Sequence, residues 1–180
     1  MRNIAVFCSA SELADKYMKP AEEFARLLAQ NGYNLVWGGS NTGVMKLVAS
    51  TVRANGSKIF GVSLEIYKEK LHPNADEMII EKTLGARKTT MLLKSDAIVA
   101  LVGGIGTLDE VTEIIELKKQ NHHQKPVIIL NSENFYDGLK IQMEKMEREG
   151  FLPQELSNYV HFASTPQDAI EFINNNLPTS

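Results

Sequence analysis

The chain has 180 residues, 43% of them hydrophobic and 23% charged, with a formal net charge of -3 and one cysteine. That length buries a proper core within one domain, and the composition excludes wholesale disorder. No Lys/Arg run marks a nucleic-acid footprint, one cysteine excludes an intrachain disulfide, and no stretch approaches the roughly 20 apolar residues of a membrane span.

Met1-Arg2-Asn3 leads straight into Ile4–Cys8, an apolar run that reads as a first strand rather than the long apolar region of a signal peptide. With a single cysteine, this points to a cytoplasmic protein. Cys8 ends the run and reads as a small buried residue rather than a reactive thiol. Ser9-Ala10-Ser11 makes a small-residue turn, and residues 14–30 carry Phe24, Leu27 and Leu28 on one helical face before the stop Asn31-Gly32. Leu35-Val36-Trp37 is a second strand, broken by Gly38-Gly39-Ser40-Asn41-Thr42-Gly43, after which residues 44–54 return to helical spacing. Residues 59–62 form a third strand. The polar, irregular stretch 65–74 reads as a loop over a site.

Met78-Ile79-Ile80 predicts a fourth strand and residues 86–94 a helix. Ile98–Val102 then has the continuous apolar character of a strand buried on both faces, and Gly103-Gly104-Ile105-Gly106 turns at once into a helical segment. Thr107-x-x-Glu110 reads as a capping box, with the helix running from Val111 to Lys119. Strands at 126–130 and 159–162 alternate with helices at 135–149 and 166–175. Strands alternating with helices over residues 1–180, with no repeat and no linker, predict an α/β fold: a single doubly wound, Rossmann-like domain with a mainly parallel sheet. Ligands of such folds bind beyond the carboxyl ends of the strands.

Three loops lie there: 9–11, 38–43 and 103–107. Two glycine turns that both open helices favour a nucleotide or sugar phosphate, because amide groups and helix dipole converge on an anion. Neither matches the dinucleotide fingerprint or the P-loop, so redox cofactors and triphosphate hydrolysis recede. Glu110 is either a cap or a catalytic acid/base, and Asp109, Glu113 and Glu116 serve the dipole or a solvated face. Arg87-Lys88 is either an exposed helical pair or a ligand clamp close to the same edge. His122-His123 fit the end of a helix better than a metal, no residue cluster has zinc spacing, and Ser9 and Ser40 have no evident histidine partner for a nucleophilic triad.

Gly103-Gly104-Ile105-Gly106-Thr107-Leu108-Asp109-Glu110 resembles the Pro-Gly-Gly-x-Gly-Thr-x-x-Glu motif of the LOG (Lonely Guy) family, cytokinin riboside 5'-monophosphate phosphoribohydrolases long mislabelled as lysine decarboxylases. Arg87-Lys88 resembles the Arg-Lys of that family's second motif, and Val6-Phe7-Cys8-Ser9, Gly38-Gly39 with Gly43-Val44-Met45, and Lys125-Pro126-Val127 fit the same pattern. The chain departs from it at Val102 for proline, Gly85-Ala86 for His-Glu, Ser40 for a third glycine and Lys46 for a further glycine. The resemblance implies hydrolysis of the N-glycosidic bond of AMP or an N6-substituted AMP. It implies Arg87 and Glu110 as catalytic residues, while the three loops and the helix starts beside them put forward Ser9, Gly38, Gly39, Ser40, Lys88, Gly103, Gly104, Ile105, Gly106, Thr107 and Asp109 as substrate-binding. It also implies a homodimer, with no metal, cofactor, nucleic acid or membrane partner. The alternative is a non-catalytic nucleotide-binding or carrier protein on the same fold. Decarboxylases generally hold pyridoxal phosphate through a lysine, and no lysine stands out for that task here.

Overall fold

A computed structural model describes residues 2–177. Strands β1 (Asn3–Phe7), β2 (Asn34–Trp37), β3 (Ile59–Leu64), β4 (Glu77–Glu81), β5 (Ala97–Ala100), β6 (Val127–Leu130) and β7 (His161–Ala163) form one sheet in the order β4-β3-β2-β1-β5-β6-β7. Every pairing between these strands is parallel. The helices are α1 (Asp15–Gln30), α2 (Gly43–Ala54), α3 (Leu84–Leu93), α4 (Ile105–Lys119), α5 (Asp137–Arg148) and α6 (Pro166–Asn176).

The near-continuous apolar strands are explained by burial on both faces, with alternate residues facing opposite layers. Ile4 and Val6 of β1, with Leu35 and Trp37 of β2, pack with Phe24 and Leu28 of α1, Val48 and Val52 of α2, and Ile170 and Ile173 of α6. Ala5 and Phe7, with Val36 and Ile98, enter a second core containing Met91 of α3, Val111 and Ile114 of α4, and Met143 of α5. Nearly all of these side chains are fully buried. At about 25 cal/mol per Å² of apolar surface, two such layers dominate the favourable side of folding.

The chain runs from β1 outward through β2, β3 and β4, then returns to β5 on the other side of β1. That reversal opens a crevice beyond the carboxyl ends of β1 and β5, the place where open α/β sheets bind ligands. One crossover differs from the rest. β3 reaches its parallel neighbour β4 through a 3-10 turn at Glu65–Lys70 instead of an α-helix, and the turn lies at the same sheet edge. An antiparallel bridge between Ser40 and Leu71, the Asn41 N–H donating to the Lys70 carbonyl at 2.7 Å, and the His72 N–H donating to the Gly39 carbonyl at 2.9 Å tie this strap to the loop after β2. Among the described residues no helix is long and apolar enough to cross a membrane.

Candidate active site

A cavity of about 520 Å3 occupies the crevice, a volume suited to a small-molecule site. It is walled by the loops after β1 (Cys8 to Ser11) and β2, the strap after β3, the first turn of α3 and the first turns of α4. The first turn of α3 places Arg87. Thr83 caps that helix, its hydroxyl accepting from the Ala86 N–H at 3.1 Å, and Arg87 points beneath the cavity, 7% exposed. Its Nε donates to the Val62 carbonyl at 2.9 Å and its Nη1 pairs with Glu110 Oε1. A Cβ at position 38 would collide with the same guanidinium, so the glycine after β2 is the space Arg87 occupies.

Glu110 is itself 7% exposed. Burial pushes its carboxyl above the ordinary carboxylate value, although the Arg87 guanidinium pulls the other way. The balance yields a carboxylate with more than usual proton affinity, held in one direction by a fixed cation. That is the character wanted of a general base. The Cys8 thiol lines the same cavity and is pushed far up, by burial first and by the Glu110 charge second, so it stays a thiol. The reading of Cys8 as an inert buried residue agrees with this.

The capping-box reading of Thr107-x-x-Glu110 is overturned. The helix begins at Ile105 rather than Val111, with Gly104 at its N-cap, so Thr107 and Glu110 both lie inside α4. Thr107 is buried, its side chain fitted against Gly103, where a Cβ would strike it. With no side-chain cap on α4, the amide groups of its first turn have no partner within the helix and face the crevice. Gly104, Gly106, Thr107 and Asp109 line the cavity. The second glycine loop behaves differently: the Val44 and Met45 N–H groups at the start of α2 donate to the Ser11 and Ser9 carbonyls at 3.3 and 3.1 Å. The expectation that both glycine turns leave their amides free for an anion is therefore overturned at α2.

Arg87 and Lys88 are not an exposed pair. Lys88 is 6% exposed and its ammonium lies between Asp109, at 2.9 Å, and Glu113, which joins α3 to α4. Burial alone would lower its pKa, but hydrogen bonds and charge from Glu113 and Asp109 outweigh it and hold it above the ordinary lysine value. Of the residues the sequence singled out, Ser9, Gly38, Ser40, Arg87, Lys88, Gly104, Gly106, Thr107, Asp109 and Glu110 line the cavity. Gly39, Gly103 and Ile105 do not: Gly39 packs on Met78 and Ser63, Gly103 packs on Thr107, and the Ile105 side chain is 81% exposed. The strap adds Tyr67 and Lys70, and α3 adds Leu84. Sequence marked the strap as a loop over a site but carried no signal for which of its side chains turn inward.

This geometry can be set beside known proteins. A family model described as "Possible lysine decarboxylase" matches residues 45–173. A Mycobacterium tuberculosis protein named cytokinin riboside 5'-monophosphate phosphoribohydrolase is 31% identical over 169 residues, 93% of this chain and 90% of that one. The chain belongs to the LOG family. A further LOG relative in Oryza sativa subsp. japonica, named probable cytokinin riboside 5'-monophosphate phosphoribohydrolase LOGL9, is 37% identical over 155 residues, covering 84% of this chain and 68% of its own. Among solved structures, the molybdenum cofactor binding protein of Rippkaea orientalis superposes with a TM-score of 0.74 at 27% identity, covering 97% of this LOG chain and 96% of its own.

Proposed function

We propose that the chain hydrolyses the N-glycosidic bond of a nucleoside 5'-monophosphate, AMP or an N6-substituted AMP such as a cytokinin riboside monophosphate, to free base and ribose 5-phosphate. The observation that carries this is the buried Arg87–Glu110 pair beside the uncapped N-terminus of α4 in one cavity. The names of the relatives support the same activity.

In this reading the α4 amides hold the 5'-phosphate, which anchors the ribose over the next turn of the helix. Glu110 lies in the second turn of α4, so its carboxylate faces the sugar. As the C1'–N bond lengthens, an oxocarbenium-like ribosyl cation forms, and the Glu110 carboxylate stabilises it. The same group takes the proton of the water that adds to C1', while the bond's electron pair leaves with the base. Arg87 stays protonated throughout; it orients Glu110 and presents its remaining N–H groups to ribose or phosphate oxygens. Ser9, Ser40 and Asp109 are proposed to contact the substrate from the surrounding walls. Lys88 does not suit a decarboxylase's Schiff base, because such a lysine must reach its neutral form and two carboxylates hold Lys88 protonated.

The reading extends to a cytoplasmic homodimer. Ile66, Leu84 and Ile105 stand exposed on the strap, α3 and α4 beside the cavity, apolar ground on which a second copy would close the site. Sedimentation of the purified chain tests the dimer. Incubation with AMP, followed by separation of adenine and ribose 5-phosphate, tests the reaction. Tight AMP binding without product would instead make the chain a carrier.

A further inference from the structure

The phosphoribohydrolase reading accounts for the water and the sugar but leaves the departing base without a partner. Breaking the C1'–N bond puts an electron pair on the base, and glycosidases commonly meet that charge with a proton donor on the leaving-group side. The cavity is lined by five charged side chains: Lys70, Arg87, Lys88, Asp109 and Glu110. Arg87 is bound to Glu110, and Lys88 to Asp109 and Glu113. Lys70 alone has no ion-pair partner among the described residues.

Its place along the sheet edge suits the base. β3 and β5 are separated by β2 and β1, so at about 4.8 Å per strand the β3 flank stands roughly 14 Å from the start of α4. A nucleotide whose phosphate sits at α4 extends its base toward that flank. There Tyr67 and Leu84 offer an aromatic ring and an aliphatic side chain, surfaces on which a planar base stacks. The strap that carries Lys70 is pinned at its backbone. Besides its bonds to the loop after β2, it ends in His72, which is 6% exposed and packs edge-on against Trp37 with ring centres 5.8 Å apart. The Lys70 side chain is exposed, and its backbone carbonyl is held by the Asn41 N–H.

We infer that Lys70 is the group that meets the departing base, its ammonium donating a hydrogen bond, then a proton, to a ring nitrogen. As the C1'–N bond breaks, its electron pair passes to the base and the ring nitrogen accepts the Lys70 proton. Water adds to C1' and yields a proton to Glu110. Solvent returns that proton to Lys70, so both groups are restored and one water is consumed per bond cleaved.

The inference rests on the phosphoribohydrolase reading, and the test separates the two. Lys70→Met is compared with the parent on AMP and on 7-methyl-AMP, whose base already carries a positive charge and leaves as a neutral molecule. The variant loses about a hundredfold in kcat on AMP, in the range of a lost proton donor. On 7-methyl-AMP it matches or exceeds the parent, because an ammonium facing a cationic base repels it. The exposed, unpaired Lys70 leaves the melting temperature unchanged on substitution. A variant that cleaves AMP at the parental rate, or loses equally on both nucleotides, overturns this inference alone. A parent that cleaves neither nucleotide overturns the phosphoribohydrolase reading and this inference with it.

Discussion

The two glycine loops of this chain have similar composition and opposite uses. Each follows a strand and opens a helix. At α2 the first-turn amides are consumed by the Ser9 and Ser11 carbonyls, so the loop after β2 is welded to the loop after β1. At α4 no side chain caps the first turn and the cavity takes its place. A helix start must satisfy its free N–H groups somehow, and what satisfies them decides its role. Protein carbonyls make a strut; an open crevice leaves the amides free, and the proposed function uses them to hold an anion.

The largest expected effect tests what α4 carries behind its open end. Glu110→Gln should lower AMP turnover by about three orders of magnitude, within the span of a lost general base. It should also destabilise the fold by about 3 kcal/mol, since it leaves the Arg87 guanidinium buried without its counter-charge. A capping role forecasts the reverse, with stability and turnover both nearly kept, and denaturation melts with steady-state kinetics decide between them.

Next in size is the phosphate itself. If the open amides of α4 hold it, adenosine should be a poorer substrate than AMP by about a hundredfold or more in kcat/KM, the worth of roughly 3 kcal/mol of hydrogen bonding to a charged group. Equal specificity constants would assign the α4 amides to solvent.

A matched pair of alanines contrasts the loops directly. Gly43 has φ +54° and lies against the Ser11 backbone, so Gly43→Ala should cost about 1–2 kcal/mol for the left-handed backbone alone and lower the melting temperature. At Gly106 a Cβ meets nothing. Gly106→Ala should therefore stabilise the helix by about 0.5–1 kcal/mol while weakening AMP binding, because its Cβ tilts toward the helix N-terminus and the anion. Stability and affinity moving together in both variants would erase the distinction.

The smallest effect is in pH. Glu110 acts only when ionised, and its pKa is raised from the usual 4.5, by burial against the opposing pull of Arg87. Activity should be present above that raised pKa and fall as pH drops through it, so the acid limb of kcat/KM for AMP lies at higher pH than a surface glutamate's. A profile still flat at the usual carboxylate value would mean that Glu110 is not the titrating base.

The sequence by itself determined the alternation of strands and helices, since a strand buried on both faces must be apolar throughout and an amphipathic helix must repeat its apolar face. Ile98–Val102 followed by three glycines pointed to the sheet edge where the cavity lies, and Arg87 and Glu110 stood out through the resemblance of their motifs to those of the LOG family. What it left open was the role of each polar group. Thr107-x-x-Glu110 is compatible with a cap or a buried acid, and only the start of α4 at Ile105 separates them. Lys88 and Arg87 are adjacent in the chain and both reach α4, Lys88 through Asp109 and Glu113 and Arg87 through Glu110, but Arg87 also bonds the Val62 carbonyl of β3; the rotation of about 100° per helical residue separates them, and the packing of α3 on β3 and α4 decides which partner each one meets. The two glycine turns differ only through carbonyls supplied from the loop after β1, and Tyr67 and Lys70 reach the cavity only because the strap is bridged to Ser40. Hydrophobic periodicity is a local property and is written in the chain. The partner of a buried charge or a free amide comes from distant segments, and is fixed only when the sheet brings them together.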